Sequence, residues 1–170
     1  MPFIFRKTLR PNGERVLMEK TLADSTNFTV GDAVKMNTSN RLELSGAGNA
    51  SAGIIVEMRK KDGSPLTDNG AGGDYVNSYT TPSSNTVVAV IDVSKESVYS
   101  VPLDAARGTT SGSEDDFCNV DVVAASDVLD ESTVAAAGST AQFCVLGPDP
   151  DPLAPSYSVL VTIQESQVQL

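Results

Sequence analysis

The chain has no histidine and no tryptophan, and its aromatic residues amount to four tyrosines and five phenylalanines in 170 residues. The missing histidine removes the usual general base near neutral pH, the commonest zinc ligand and the usual serine or cysteine triads. Two cysteines, Cys118 and Cys144, do not make a metal site alone. No glycine-rich loop leads into a lysine, and the run GAGNASAG at 46–53 lacks the strand-loop-helix setting of a dinucleotide site. Nor does any window approach the roughly twenty apolar residues that span a bilayer, and the beginning lacks the apolar stretch of a signal peptide. These absences lead us to expect a non-enzymatic protein made in the cytoplasm, with no cofactor, no metal and no membrane partner.

Positive charge is also scarce. Lysine and arginine total 12 against 22 acids, for a net charge of −10, which argues against nucleic acid as a partner, since phosphate backbones are met by basic patches. The imbalance is uneven: residues 1–20 carry a net +3, residues 21–90 a net −2 and residues 91–170 a net −11. A basic beginning on an acidic body means that the first segment meets a different surface from the rest, either a partner or a neighbouring copy, or else forms a plain solvated strand.

What is present reads as β structure. Valine and alanine dominate an apolar fraction of 40%, a composition suited to short strands. Residues 28–58 form the clearest unit. Phe28, Val30, Val34 and Met36 are followed by Leu42 and Leu44 in strict alternation, then by Ile54, Ile55 and Val56. Between these runs lie Asn37-Thr38-Ser39-Asn40 and Gly46-Ala47-Gly48-Asn49, residues that accept positive φ or bond their own backbone. The pattern predicts strand, turn, strand, turn, strand.

Before this unit, residues 1–27 form either an extended N-terminal arm or a hairpin turning at Pro11-Asn12-Gly13. After it, residues 62–85 are rich in Gly, Ser, Asn, Thr and Asp and read as a long loop insertion of the kind used for binding. Tyr75 and Tyr79 are its possible contact residues. Asp68, Asn69 and Asp74 lack the ligand alternation and closing glutamate of a calcium hand. Residues 86–93 (TVVAVIDV) read as a central strand buried on both faces, residues 97–103 as a strand with its proline at an end, and residues 157–164 as the closing strand. Residues 124–137 read as strand and loop rather than helix, because their apolar spacing makes a poor amphipathic face.

An offset of 89 residues aligns residues 30–58 with 119–147, matching Asp32 with Asp121, Val34 with Val123, Ala52 with Ala141 and Val56 with Val145. Residues 28–58 and 117–147 are therefore either repeated units or mimics of one another within a β domain spanning 28–170. Cys118 and Cys144 lie in apolar runs, where a cysteine is either a small buried hydrophobe or, outside a reducing compartment, half of a disulfide. The acid groups Asp127, Asp130 and Glu131, and Asp149 with Asp151, read as solvated loop residues rather than a catalytic pair. Together the elements predict an all-β fold, a small β-barrel or β-sandwich of short antiparallel strands with long loops.

The motif Val30-Gly31-Asp32-Ala33-Val34, the polar turn after it and Ala52-Gly53-Ile54-Ile55-Val56 resemble the opening module of capsid cement, or head decoration, proteins of tailed bacteriophages. Val98-Tyr99-Ser100-Val101-Pro102-Leu103 resembles that family's aromatic strand, and Val159 to Ile163 its closing strand. Residues 62–85 and the acidic connection near Asp115 depart from the compact family pattern. The resemblance implies a virion protein on the capsid exterior that binds the major capsid protein and its own copies, as a homotrimer in preference to a homodimer, and reinforces the shell. Phe3, Ile4, Phe5, Arg6, Lys7 and Arg10 would then make contacts with the capsid or a neighbouring subunit. A receptor- or glycan-binding β module of a tail fibre is the alternative, and a soluble regulatory or inhibitor domain a third.

Overall fold

Valine-rich runs separated by turn residues become twelve strands in the computed structural model, which describes residues 3–64, 66, 77–104, 119–123, 128–130, 133 and 141–164. The strands are β1 (Ile4–Thr8), β2 (Leu17–Thr21), β3 (Asn27–Thr29), β4 (Ala33–Met36), β5 (Leu42–Leu44), β6 (Gly53–Lys60), β7 (Ser78–Thr80), β8 (Val87–Asp92), β9 (Ser97–Pro102), β10 (Asn119–Val120), β11 (Phe143–Pro148) and β12 (Ser158–Ile163). One antiparallel sheet has the order β2-β8-β6-β4-β5, a second the order β1-β9-β12-β11-β10, and β3 pairs with β7 as a ribbon. No helix among the described residues is long and apolar enough to cross a membrane.

The architecture is all-β and sandwich-like. The barrel alternative is corrected by the edges of the first sheet: Leu22, just after β2, meets Leu42 of β5 through one isolated bridge, with the Ala23 amide donating to the Leu42 carbonyl at 2.7 Å. The sheet curls until its edges touch, and no ladder closes it. Inside the curl, Val87, Ala89, Ile91 and Val93 point one way from β8 and pack with Val34, Leu42, Ile55, Met58, Leu22 and Phe28, as the period of two along a strand requires. Phe28, fully buried, enters this cluster from the β3-β7 ribbon.

The second core lies between the sheets. Phe3, Tyr99, Val101, Phe143, Val145, Val159, Val161 and Ile163 supply most of it, and Ala33 and Ile54 join it from the first sheet. Ile54 and Ile55 thus serve opposite faces of β6, which explains the unbroken apolar run there. Bulges follow at Val56, Arg6 and Leu146, where the pairing of β6, β1 and β11 slips by a residue.

Several expectations take a different form. β1 and β2 make no hairpin: β1 pairs with β9 and β2 with β8, in different sheets. The N-terminal segment is accordingly built into the fold rather than extended as an arm. The stretch 62–85 is not all loop, because β7 pairs with β3 and its Tyr79 packs against the first core. The short polar strand Ser78-Tyr79-Thr80 shows no alternation long enough to be recognised locally. Residues 28–58 carry four strands rather than the three expected, because the chain turns at Gly31 (φ 98°) and splits the first run into β3, in the ribbon, and β4, in the first sheet. The turn after β4 is held by Asn37, whose side-chain oxygen accepts from the amides of Ser39 and Arg41 at 2.9 and 3.0 Å, with Asn40 at φ 58°. In the other sheet, β10, the bridge between Val122 and Leu129, and β11 come in an order parallel to β4, β5 and β6. Most of 124–137 lies outside the described residues.

Gly53 marks a tight backbone approach, since a Cβ there would stand 2.4 Å from the carbonyl oxygen of Asp92. Gly53→Ala forces β6 and β8 apart and should lower stability by about 1–3 kcal/mol, the usual cost of overpacking. Urea unfolding of the variant beside Phe28→Ala, expected to lose about 3–5 kcal/mol, checks both; a neutral Gly53→Ala would show that β6 can shift.

Candidate functional site

The site begins with an acid in an apolar strand. β8 ends at Asp92, whose side chain is fully buried on the face turned away from the first core. A carboxylate there is tolerable only if its lone pairs are met. Its Oδ1 accepts from the Ser94 amide at 2.9 Å, and its Oδ2 accepts from the Ser97 hydroxyl at 2.7 Å and the Tyr99 hydroxyl at 2.6 Å. All three donors lie within seven residues, because the chain turns at Val93–Glu96 directly from β8 into β9. Burial, reinforced by the negative charge of Asp92, pushes the Tyr99 phenol far above its ordinary range, so it remains a donor to Asp92 at every physiological pH.

Beside this cluster stands Arg15. Its guanidinium lies 3.8 Å from Asp92 Oδ2 and 4.3 Å from the centre of the Phe5 ring, a cation-π distance. Phe5 in turn meets Tyr99 edge to face at 6.0 Å. These groups border a 230 Å³ cleft lined also by Phe3, Val30, Ile54, Ile55 and Val56.

A second cleft, of 330 Å³, opens where β1 meets the β11–β12 connection, lined by Arg6, Lys7, Asp149, Pro150, Asp151 and Leu160. The bulge at Arg6 aims its guanidinium at Asp149, 2.7 Å away, and at Asp151, 3.1 Å away. The Asp149 side chain is only 2% exposed, which corrects the reading of Asp149 and Asp151 as a solvated acid pair: an arginine distant in sequence covers the first of them. Burial alone would raise the Asp149 pKa, but hydrogen bonds, including one from the Asp151 amide at 3.0 Å, and the Arg6 charge bring it below the usual carboxylate range. The same connection is braced by Asp151, which accepts from the Leu153 amide at 2.9 Å, and it presents Leu153 at 90% exposure.

The six N-terminal residues proposed for contact divide. Phe3 is interior, 4.9 Å from the Phe143 ring, and Ile4 is half-buried. Arg6 is tied to Asp149 and Arg10 to Glu96 at 3.2 Å. Phe5 and Lys7 remain exposed. Tyr79 is half-buried on β7 rather than on a loop, Tyr75 and Cys118 lie outside the described residues, and Cys144 is half-buried on β11. Among the described residues no group of three His, Cys, Asp or Glu side chains could hold a metal. Sequence reading missed Arg15, Asp92 and Tyr99 as a group, although one signal was there: an acid inside TVVAVIDV needs partners.

No protein-family model, curated protein or solved structure matches this chain.

The Arg6–Asp149 pair makes stability depend on acid. A carboxyl whose folded pKa is depressed contributes stability that is present above its unfolded pKa, about 4, and is lost as pH falls through the lower folded value. Thermal scans from pH 6 to pH 2 should show the midpoint falling below about pH 4, and Asp149→Asn should flatten part of that fall. Tyr99→Phe leaves the buried Asp92 carboxylate one donor short and should cost about 1–3 kcal/mol at pH 6.

Proposed function

We propose that the protein is a structural component of a tailed-phage virion that binds the outer surface of the assembled capsid and bridges coat subunits. The observation that carries this reading is the concentration of exposed apolar and cationic groups on the N-terminal segment of an otherwise acidic chain. Phe5, Leu9 and Leu17 are 38%, 54% and 48% exposed, and Lys7 stands exposed between the first two. Scattered single apolar residues need no explanation, whereas several on one segment mark an interaction surface. Phe5 and Lys7 lie on β1, anchored by pairing with β9 and by the buried Phe3 ring, and Leu17 opens β2, anchored by pairing with β8, so little order has to be gained on binding.

The motifs of residues 30–34, 52–56 and 98–103 support the same reading through their resemblance to decoration proteins. The partners are then the major capsid protein and further copies of the chain, three in preference to two, with no nucleic acid, membrane or cofactor involved. A tail-fibre module is the competing reading; it calls for clustered exposed aromatics, and among the described tyrosines only Tyr157 is exposed.

Because Phe3 is part of the core, removing residues 2–10 would test folding rather than contact. Phe5→Ser combined with Lys7→Glu leaves the core intact and should reduce occupancy on undecorated heads at least about tenfold, as loss of an interface anchor does. Electron microscopy of the reconstituted heads measures it; undiminished density on the capsid faces, or density at the tail tip, would overturn the assignment.

A further inference from the structure

The cleft beside Arg15 is built for something more specific than general adhesion. Its floor and walls are apolar: Phe3, Val30, Ile54, Ile55 and Val56, closed at one side by the Phe5 and Tyr99 rings. One cation stands at it. Arg15 is held from two directions, stacked on Phe5 at 4.3 Å and drawn toward the buried Asp92 carboxylate at 3.8 Å.

Asp92 does not use up the guanidinium. At 3.8 Å the contact is too long for a hydrogen bond, and the Asp92 oxygens are already engaged by Ser94, Ser97 and Tyr99. Among the described residues Arg15 donates no side-chain hydrogen bond, in contrast to Arg6, Arg10, Arg41 and Arg59, each of which donates to a carboxylate. Its side chain is 29% exposed, so the unused donors can be reached. A planar fork of N–H groups, fixed in orientation by an aromatic face, suits bidentate binding of a carboxylate.

Size selects the occupant. The cleft measures 230 Å³, below the roughly 300–1,000 Å³ of small-molecule sites, and is suited to one or two side chains. Charge selects further: a cation with free donors at an apolar hollow fits an aliphatic group with an anion next to it. We infer that the cleft between β1 and β6 docks a segment of a partner protein in which an aliphatic side chain fills the hollow and an adjacent carboxylate is bound by Arg15. This stands whether or not the partner is a capsid, because it rests on the cleft alone.

The test is methyl NMR on the full chain, with N-acetyl-leucyl-glutamic acid amide as probe and the leucyl-glutamine and leucyl-lysine amides as controls. The glutamate probe should shift the methyl signals of Val30, Ile54 and Val56 and the Arg15 Nε–H signal, leaving Val159 in place. Its apparent affinity should exceed that of the glutamine probe about fivefold or more, the span expected for a charge-assisted contact at a half-exposed site, and the difference should shrink in high salt. Arg15→Gln should erase the preference. Should that variant fail to fold, Val56→Trp, which fills the hollow from the bulge on β6, should abolish the shifts. Three results would overturn the inference: no shift at these methyls in the wild-type chain, equal response to the glutamate and lysine probes, or shifts produced by raising the protein concentration alone, which would make a second copy the occupant.

Discussion

The buried carboxylate of Asp92 is the constraint around which the two sheets are arranged. It sits at the end of β8, an interior strand of the first sheet, and only four residues separate it from β9 of the second. Within that short turn its lone pairs must find donors, because an unpaired charge in such a place would cost several kcal/mol. Ser94, Ser97 and Tyr99 provide them, which fixes how β9 leaves β8 and therefore where the second sheet lies. The Ser94 hydroxyl extends the network by accepting from the Val16 amide at 2.6 Å, tying the start of β2 to the same point.

A second polar clamp joins the sheets beside β5 and β11. Gln142 is fully buried beside β11, where its side-chain oxygen accepts from the Val122 amide at 2.9 Å and its amide group donates to the Ser45 hydroxyl at 2.7 Å and the Gly46 carbonyl at 2.9 Å. Asp121 contributes by accepting from the Gln142 amide at 3.0 Å and the Gly48 amide at 3.2 Å. The β5–β6 turn of the first sheet is thus held by residues nearly a hundred positions later. Two satisfied polar networks, one at β8 and one beyond β5, limit how the sheets can slide across an apolar interface that is itself non-directional.

This rigidity bears on function. The N-terminal strand is not a loose tether: its inward side chain, Phe3, is core, its bulged Arg6 is pinned to Asp149, and its other exposed groups are displayed on a fixed frame. The bridging role proposed above would draw on such a frame, since little entropy is lost when fixed surfaces meet.

The strands of residues 28–58, the interior strand near 86–93 and the closing strand were legible because alternation and turn chemistry are local properties, readable from neighbours in the chain. The exclusion of a histidine-based site was equally legible, being a matter of composition. Pairing was not. Nothing near β1 specifies β9 as its partner, nothing in Ser78-Tyr79-Thr80 announces β3, and Arg6 and Asp149 are 143 residues apart. Arg15 read as one more cation in a basic segment, and became a candidate binding group only when Phe5 and Asp92 arrived beside it from two other strands. Sequence by itself determined the kind of structure and the lack of any histidine in it; tertiary structure decided which charges are spent on each other and which stay available, because that depends on contacts between residues far apart in the chain.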